Sequence, residues 1–148
     1  MLAKTHLAIT IFFIFLLLPF VQNQFIFIFF SILATFLPDV DSKFSAVGKN
    51  KGLRIVQIFL KHRGILHSFI FLFLITLFLI LFFPVFSLPF FLGYGLHLIA
   101  DSFTVSGVKL FYPFKKNYSG FVKTGTRRET FILIVFLVLD LGLLYELF

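Results

Sequence analysis

Between Ser68 and Phe86 the chain runs for 19 residues without a charged side chain, and this is one of five predominantly apolar stretches. In water such a stretch would have to be covered on every side. The chain has only 148 residues to do it with, of which 60% are hydrophobic, 13% are charged and 27 are Phe. Soluble domains hold about 45–50% apolar and about 25% charged residues, so a water-soluble domain of this size would expose more apolar surface than its interior could enclose. The solvent is therefore lipid. A bilayer offers no partner to exposed backbone N–H and C=O groups, so the stretches must be helical even though Phe, Ile and Val favour strands in water. The expected class is all-α, a polytopic membrane bundle.

The five stretches are 7–21, 25–37, 68–86, 88–100 and 131–148. Spanning a bilayer takes about 20 apolar residues at 1.5 Å each, which the third and fifth approach; the first, second and fourth reach only about 20 Å. Gln22-Asn23-Gln24 and the Pro84–Pro89 stretch are too brief to be more than tight turns. The expectation is two short helical hairpins and a C-terminal helix in one domain over 1–148, with charged loops at 42–67 and 102–129. The first stretch has one Lys before it, no small-residue cleavage site and a hairpin partner directly after it, so it reads as a retained helix and not a leader.

The thirteen Lys and Arg residues fall at Lys4, within Lys43–Arg63 and within Lys109–Arg128, and neither tight turn carries one. With five crossings all of them lie on one side, which the positive-inside rule makes cytoplasmic. Localisation is thus expected in the cell's cytoplasmic membrane, with the N-terminus and both charged loops inside. A net charge of +7 would otherwise suggest nucleic acid. The segment Ser102–Arg128 mixes Phe103, Phe111, Tyr112, Phe114 and Phe121 with six basic residues, but its tethering between membrane helices makes membrane lipid the expected partner. It is read as a surface segment and a candidate lid. Nothing in the pattern selects an oligomeric state.

The chain has four His and six acidic residues, and most converge on one membrane level. His6 opens the first helix, Asp39 and Asp41 close the second, His62 and His67 precede the third, and His97 and Asp101 end the fourth. Because successive helices alternate in direction, these residues meet although they are spread over 95 positions. His97 and Asp101 are four apart and project from one helical face. Ionisable groups at membrane depth are costly and tend to be functional. Without Cys, a metal here must use imidazole and carboxylate, a set that suits Zn, Mn or Fe(II) and not Ca. Asp140, in the middle of the last stretch, is the exception to the clustering, with pairing and packing equally open to it; Glu129 and Glu146 read as interfacial. His6 to Asp39 spans 33 residues and His67 to Asp101 spans 34, a spacing that a duplicated hairpin would explain.

Thr5-His6, Leu37-Pro38-Asp39-Val40-Asp41, His62-Arg63-Gly64-Ile65-Leu66-His67-Ser68 and His97-Leu98-Ile99-Ala100-Asp101, followed by Gly107-Val108 and Tyr112-Pro113-Phe114, together resemble the YdjM-like family of membrane-bound metal-dependent hydrolases, over about residues 1–115. That family is also described as LexA-binding, a property not carried over to this chain. The order His, Asp, His, then His-x-x-x-Asp is also similar to that of zinc-dependent phospholipase C and its nuclease relatives. The chain lacks a second His-x-x-x-Glu pair, which favours one or two ions over three.

The expected function is hydrolysis assisted by a divalent metal, Zn foremost, at the cytoplasmic face, on a phosphoester or another small or lipid-like substrate. His6, Asp39, His67, His97 and Asp101 are the expected ligands, and Asp41 or His62 a further ligand, an orienting group or the general base. Arg63 is a candidate clamp on a phosphate or carboxylate oxygen, because its planar fork holds two oxygens. The alternative is a non-catalytic membrane protein with a structural or transport metal site; a structural site would fill the coordination sphere with protein ligands.

Overall fold

Phe83, with φ −144° and ψ 62°, interrupts the longest apolar run. A computed structural model of the chain describes residues 1–41 and 64–147. Among them are five α-helices: α1 (Ala3–Leu17), α2 (Gln24–Phe36), α3 (Phe69–Phe82), α4 (Pro84–Ser102) and α5 (Arg127–Leu147). Strands are absent from the described residues apart from two isolated bridges, Thr104 with Val122 and Val108 with Tyr118.

The break at Phe83 corrects the expected lengths. Pro84 is the first residue of α4, a position where its missing N–H costs nothing because no intrahelical acceptor is available there. Pro89 then lies inside α4 and not in a turn; it falls in the second turn of the helix, where only the bond to Val85 O is lost. The third helix is therefore only 14 residues long, and the fourth has 19. Three helical segments, 3–20, 84–102 and 127–147, are long and apolar enough to cross a membrane. The first of them begins four residues earlier than the apolar stretch and ends in a 3-10 turn over Leu18–Phe20.

The most extensive pairing is between α2 and α4. Gly93 makes it possible: a Cβ there would lie 2.1 Å from Ser31 O on α2, so the two backbones touch, the small-residue packing by which helices associate in lipid. Beside the crossing, Thr35 Oγ1 donates to Ser31 O at 2.8 Å and lies 2.9 Å from Thr10 Oγ1 on α1. A core of Ala34, Leu72, Tyr94 and Leu98 joins α2, α3 and α4, and Ile14, Leu18 and Phe27 join α1 to α2. Leu2 meets Glu129 and Phe12 meets Phe136, so α1 and α5 run side by side in the same direction.

The segment between α4 and α5 is only partly a surface layer. Val108, Leu110 and Val122 are buried, the first two within the main core, while Phe103, Phe111, Phe114 and Phe121 are exposed. Gly107, at φ 61°, and Gly120 let it fold closely, since a Cβ on either would meet Tyr118 O at 2.4 Å or Phe103 O at 2.5 Å.

Candidate metal centre

Each candidate ligand is placed by a local feature of the sequence. His6 lies in the first turn of α1. Asp39 follows Pro38, which turns the end of α2 into the 3-10 segment Pro38–Asp41, with Val40 N donating to Leu37 O. His67 ends another 3-10 turn, Ile65–His67, directly before the N-cap of α3, where Ser68 Oγ accepts from Phe71 N. That turn is pinned from two sides: the Tyr94 hydroxyl donates to Leu66 O, and Phe69 N donates to Leu110 O at 2.7 Å. His97 and Asp101 are one turn apart near the end of α4.

The result is one buried cluster at one end of the bundle. His6, His67, His97 and Asp101 are each at most 3% exposed, and the Asp39 side chain is 21% exposed. The His6 and His97 rings are stacked, with centroids 4.1 Å apart and planes 8° from parallel. Around them, His6 Nε2 lies 3.2 Å from Asp101 Oδ1, His97 Nε2 lies 3.7 Å from Asp101 Oδ2 and 3.8 Å from Asp39 Oδ1, and His67 Nε2 lies 4.0 Å from an oxygen of each carboxylate. Two ligand atoms bound tetrahedrally at about 2.1 Å from one ion are about 3.4 Å apart, which is the scale of these separations. Within each of the sets His6–His97–Asp101 and Asp39–His67–His97, the ligand atoms lie within 4.8 Å of one another, so the cluster could hold a metal ion.

The donor set passes a second test of fit. Both ring nitrogens of His97 and Nδ1 of His6 are buried without a hydrogen-bond partner among the described residues. Buried polar atoms in that condition are costly, and two carboxylates beside them add negative charge at a depth where it needs compensation. The Met1 amino group supplies part of it, 2.5 Å from Asp101 Oδ1.

Of the expected site residues, the structure brings together His6, Asp39, His67, His97 and Asp101. Asp41 closes the Pro38–Asp41 turn, and its backbone alone is described; His62 and Arg63 lie outside the described residues. Glu129 corrects the sequence reading, because it is 1% exposed and not interfacial. Its Oε1 accepts from Leu2 N at 2.5 Å and Thr5 Oγ1 at 3.2 Å, and its Oε2 from Gly125 N at 2.6 Å. It thus clasps the start of α1, one residue from His6, to the start of α5. The spacing Thr126-Arg127-Arg128-Glu129 is that of a helix capping box, which marks the start of α5 but not the burial of Glu129. Asp140 is buried too, with Oδ1 unpartnered among the described residues, and stands apart from the cluster.

A family model described as YdjM inner membrane protein matches residues 1–146. The chain belongs to that family. The YdjM match extends beyond the motif-bearing residues through the segment after α4 and nearly all of α5, so Glu129 and the clasp fall within it as well. Membership agrees with the apolar helices in placing the chain in the inner membrane. Comparison with curated proteins and with solved structures gives no significant match to either.

Proposed function

We propose that the chain is an integral membrane hydrolase that depends on a divalent metal, with its centre at the cytoplasmic face and a phosphoester or another amphiphilic ester as substrate. The observation that carries this reading is the convergence of three imidazoles and two carboxylates, from four separate segments of the chain, within ligand-to-ligand distances of one another. His97 belongs to both sets. A neutral imidazole has one lone pair to give, so the sharing favours a single ion, Zn foremost, over two.

When bound, such an ion would polarise a substrate oxygen and acidify water. The chain's own residues supply the rest. Asp101 faces both members of the stacked pair, 3.2 Å from His6 Nε2 and 3.7 Å from His97 Nε2, and Asp39 faces His67 and His97 from the more exposed side, where an incoming substrate would enter. The near-complete burial of His6, His67, His97 and Asp101 keeps bulk water from all but the Asp39 side. His62, Asp41 and Arg63 complete the proposal as proton carrier, orienting group and phosphate clamp. The grouping of Lys and Arg at position 4 and within 43–63 and 109–128, with none in the tight turn at 22–24, supports an orientation with the cluster inside the cell.

A non-catalytic metal site is the competing reading, and the number of side chains favours it: five ligands can fill a coordination sphere and leave no place for water. The two separate in one assay. Detergent-purified protein loaded with Zn, Mn or Fe(II) is incubated with a panel of soluble and lipid phosphoesters beside His97→Ala. Metal-dependent release of product that disappears in His97→Ala supports the hydrolase; tight stoichiometric metal with no turnover on any ester supports the non-catalytic site.

A further inference from the structure

On the outer side of α1, α4 and α5 lies a cavity of about 300 Å³, at the lower end of ligand-pocket sizes of about 300–1,000 Å³. Every residue lining it is apolar, among them Ile9 and Phe13 on α1, Ile99 on α4 and Phe136 on α5. Phe121 lines it too, and Phe121 also forms the wall of a second cleft whose other walls are Lys123, Thr126, Arg127 and Arg128. The three cations are exposed, and none pairs with a carboxylate among the described residues. Arg128 is held toward the shared wall, its Nη1 donating to Phe121 O at 3.3 Å. The adjacent carboxylate, Glu129, points the other way, onto Leu2 N, Thr5 and Gly125 N.

We propose that this is a site for an anionic lipid, whose acyl chain fills the apolar cavity between α1, α4 and α5 and whose phosphate rests on Lys123, Arg127 and Arg128. The cavity and the cationic cleft are one continuous amphiphilic surface, joined at Phe121. Its flank is the face of α5, on which only Glu129 and Asp140 are buried, so the cavity opens toward the lipid. The order is that of a lipid in a leaflet: apolar cavity alongside the helices, cations at their charged end. A second copy of the chain is a poorer occupant, because a symmetric contact would set the same three cations against each other. The site stands independently of any ion at the His/Asp cluster.

The native chain contains no Trp, so one introduced Trp is a clean reporter. Phe136→Trp reports from inside the cavity and Val138→Trp, 63% exposed and outside its lining, from the general lipid face. Each is purified in detergent and titrated with a brominated single-chain alkyl phosphate, then with the alcohol of the same chain. Saturable quenching at position 136, at least five-fold tighter for the phosphate than for the alcohol, is expected, with that preference lost when Lys123, Arg127 and Arg128 are all replaced by Gln. Linear quenching equal at the two positions, or equal affinity for phosphate and alcohol at 136, overturns the proposal. The phosphate-against-alcohol comparison needs only the reporter protein, so it decides the matter even if the triple variant does not fold.

Discussion

The imidazoles of His6 and His97 lie parallel with centroids 4.1 Å apart, although 91 residues separate them in the chain. One carboxylate organises the pair, since Asp101 offers Oδ1 to His6 and Oδ2 to His97. With both Nε2 atoms turned toward that carboxylate, the two rings and Asp101 form one face of the candidate ligand set. The helix packing that brings α1 beside α4 is therefore also what builds the centre.

Gly93 in turn seats α4 directly on α2, the larger helix contact. Gly93→Ala sets a methyl group 2.1 Å from Ser31 O, which neither backbone can avoid without the helices moving apart. The expected cost is about 1–3 kcal/mol, seen as a lower melting temperature in detergent. Gly142→Ala is the matched control, as its Cβ meets nothing within 4 Å; it should be neutral or stabilising by up to about 1 kcal/mol.

Glu129 is predicted to matter to the site without touching it. Glu129→Ala leaves Leu2 N, Gly125 N and the Thr5 hydroxyl without their acceptor, an expected loss of about 1–3 kcal/mol of stability. Because the freed segment carries His6, metal affinity should fall by about 10-fold, the lower range for a supporting residue. Calorimetric unfolding and competition with a chelating dye measure the two effects on the same preparation.

Asp140 gives the opposite expectation. Its buried Oδ1 has no partner among the described residues, and it stands apart from the His/Asp cluster. Asp140→Leu should therefore raise thermal stability or leave it unchanged, with metal content unaltered. A loss of metal in this variant would show that the last helix serves the centre.

The orientation can be read directly because the chain contains no Cys. Asn23→Cys, between α1 and α2, and Lys115→Cys, in the segment after α4, should react with a membrane-impermeant maleimide from opposite sides of the membrane. In intact cells the expected result is labelling at position 23 and protection at position 115 until the membrane is opened. Labelling of both from the same side would contradict the arrangement.

The sequence made most of this legible through two patterns. Runs without charge located α1, α2 and α5, and the alternation of helix direction placed His6, Asp39, His67, His97 and Asp101 at one level before any contact was known. The division at Phe83 was not legible, because prolines mark both turns and helix starts; Pro84 begins α4 while Pro89 sits inside it. The burial of Glu129 is hidden from the sequence for a related reason. A carboxylate near a helix start is ordinarily a solvent-facing cap, and only the approach of α1, a long-range contact, turns it into a buried clasp. The burial of Val108 and Val122 was hidden in the same way, since their segment is rich in charge and aromatic residues throughout.

The most direct test of the central claim is metal analysis by mass spectrometry of the detergent-purified protein, wild type beside His97→Ala and Asp101→Ala, at matched folded yield. The wild type is expected to hold about one equivalent of a divalent transition metal and both variants to lose most of it, as each removes a ligand from the shared cluster. A wild-type protein that holds no metal even after incubation with Zn, Mn or Fe(II), or variants that keep it fully, would contradict the account and return these histidines to buried packing.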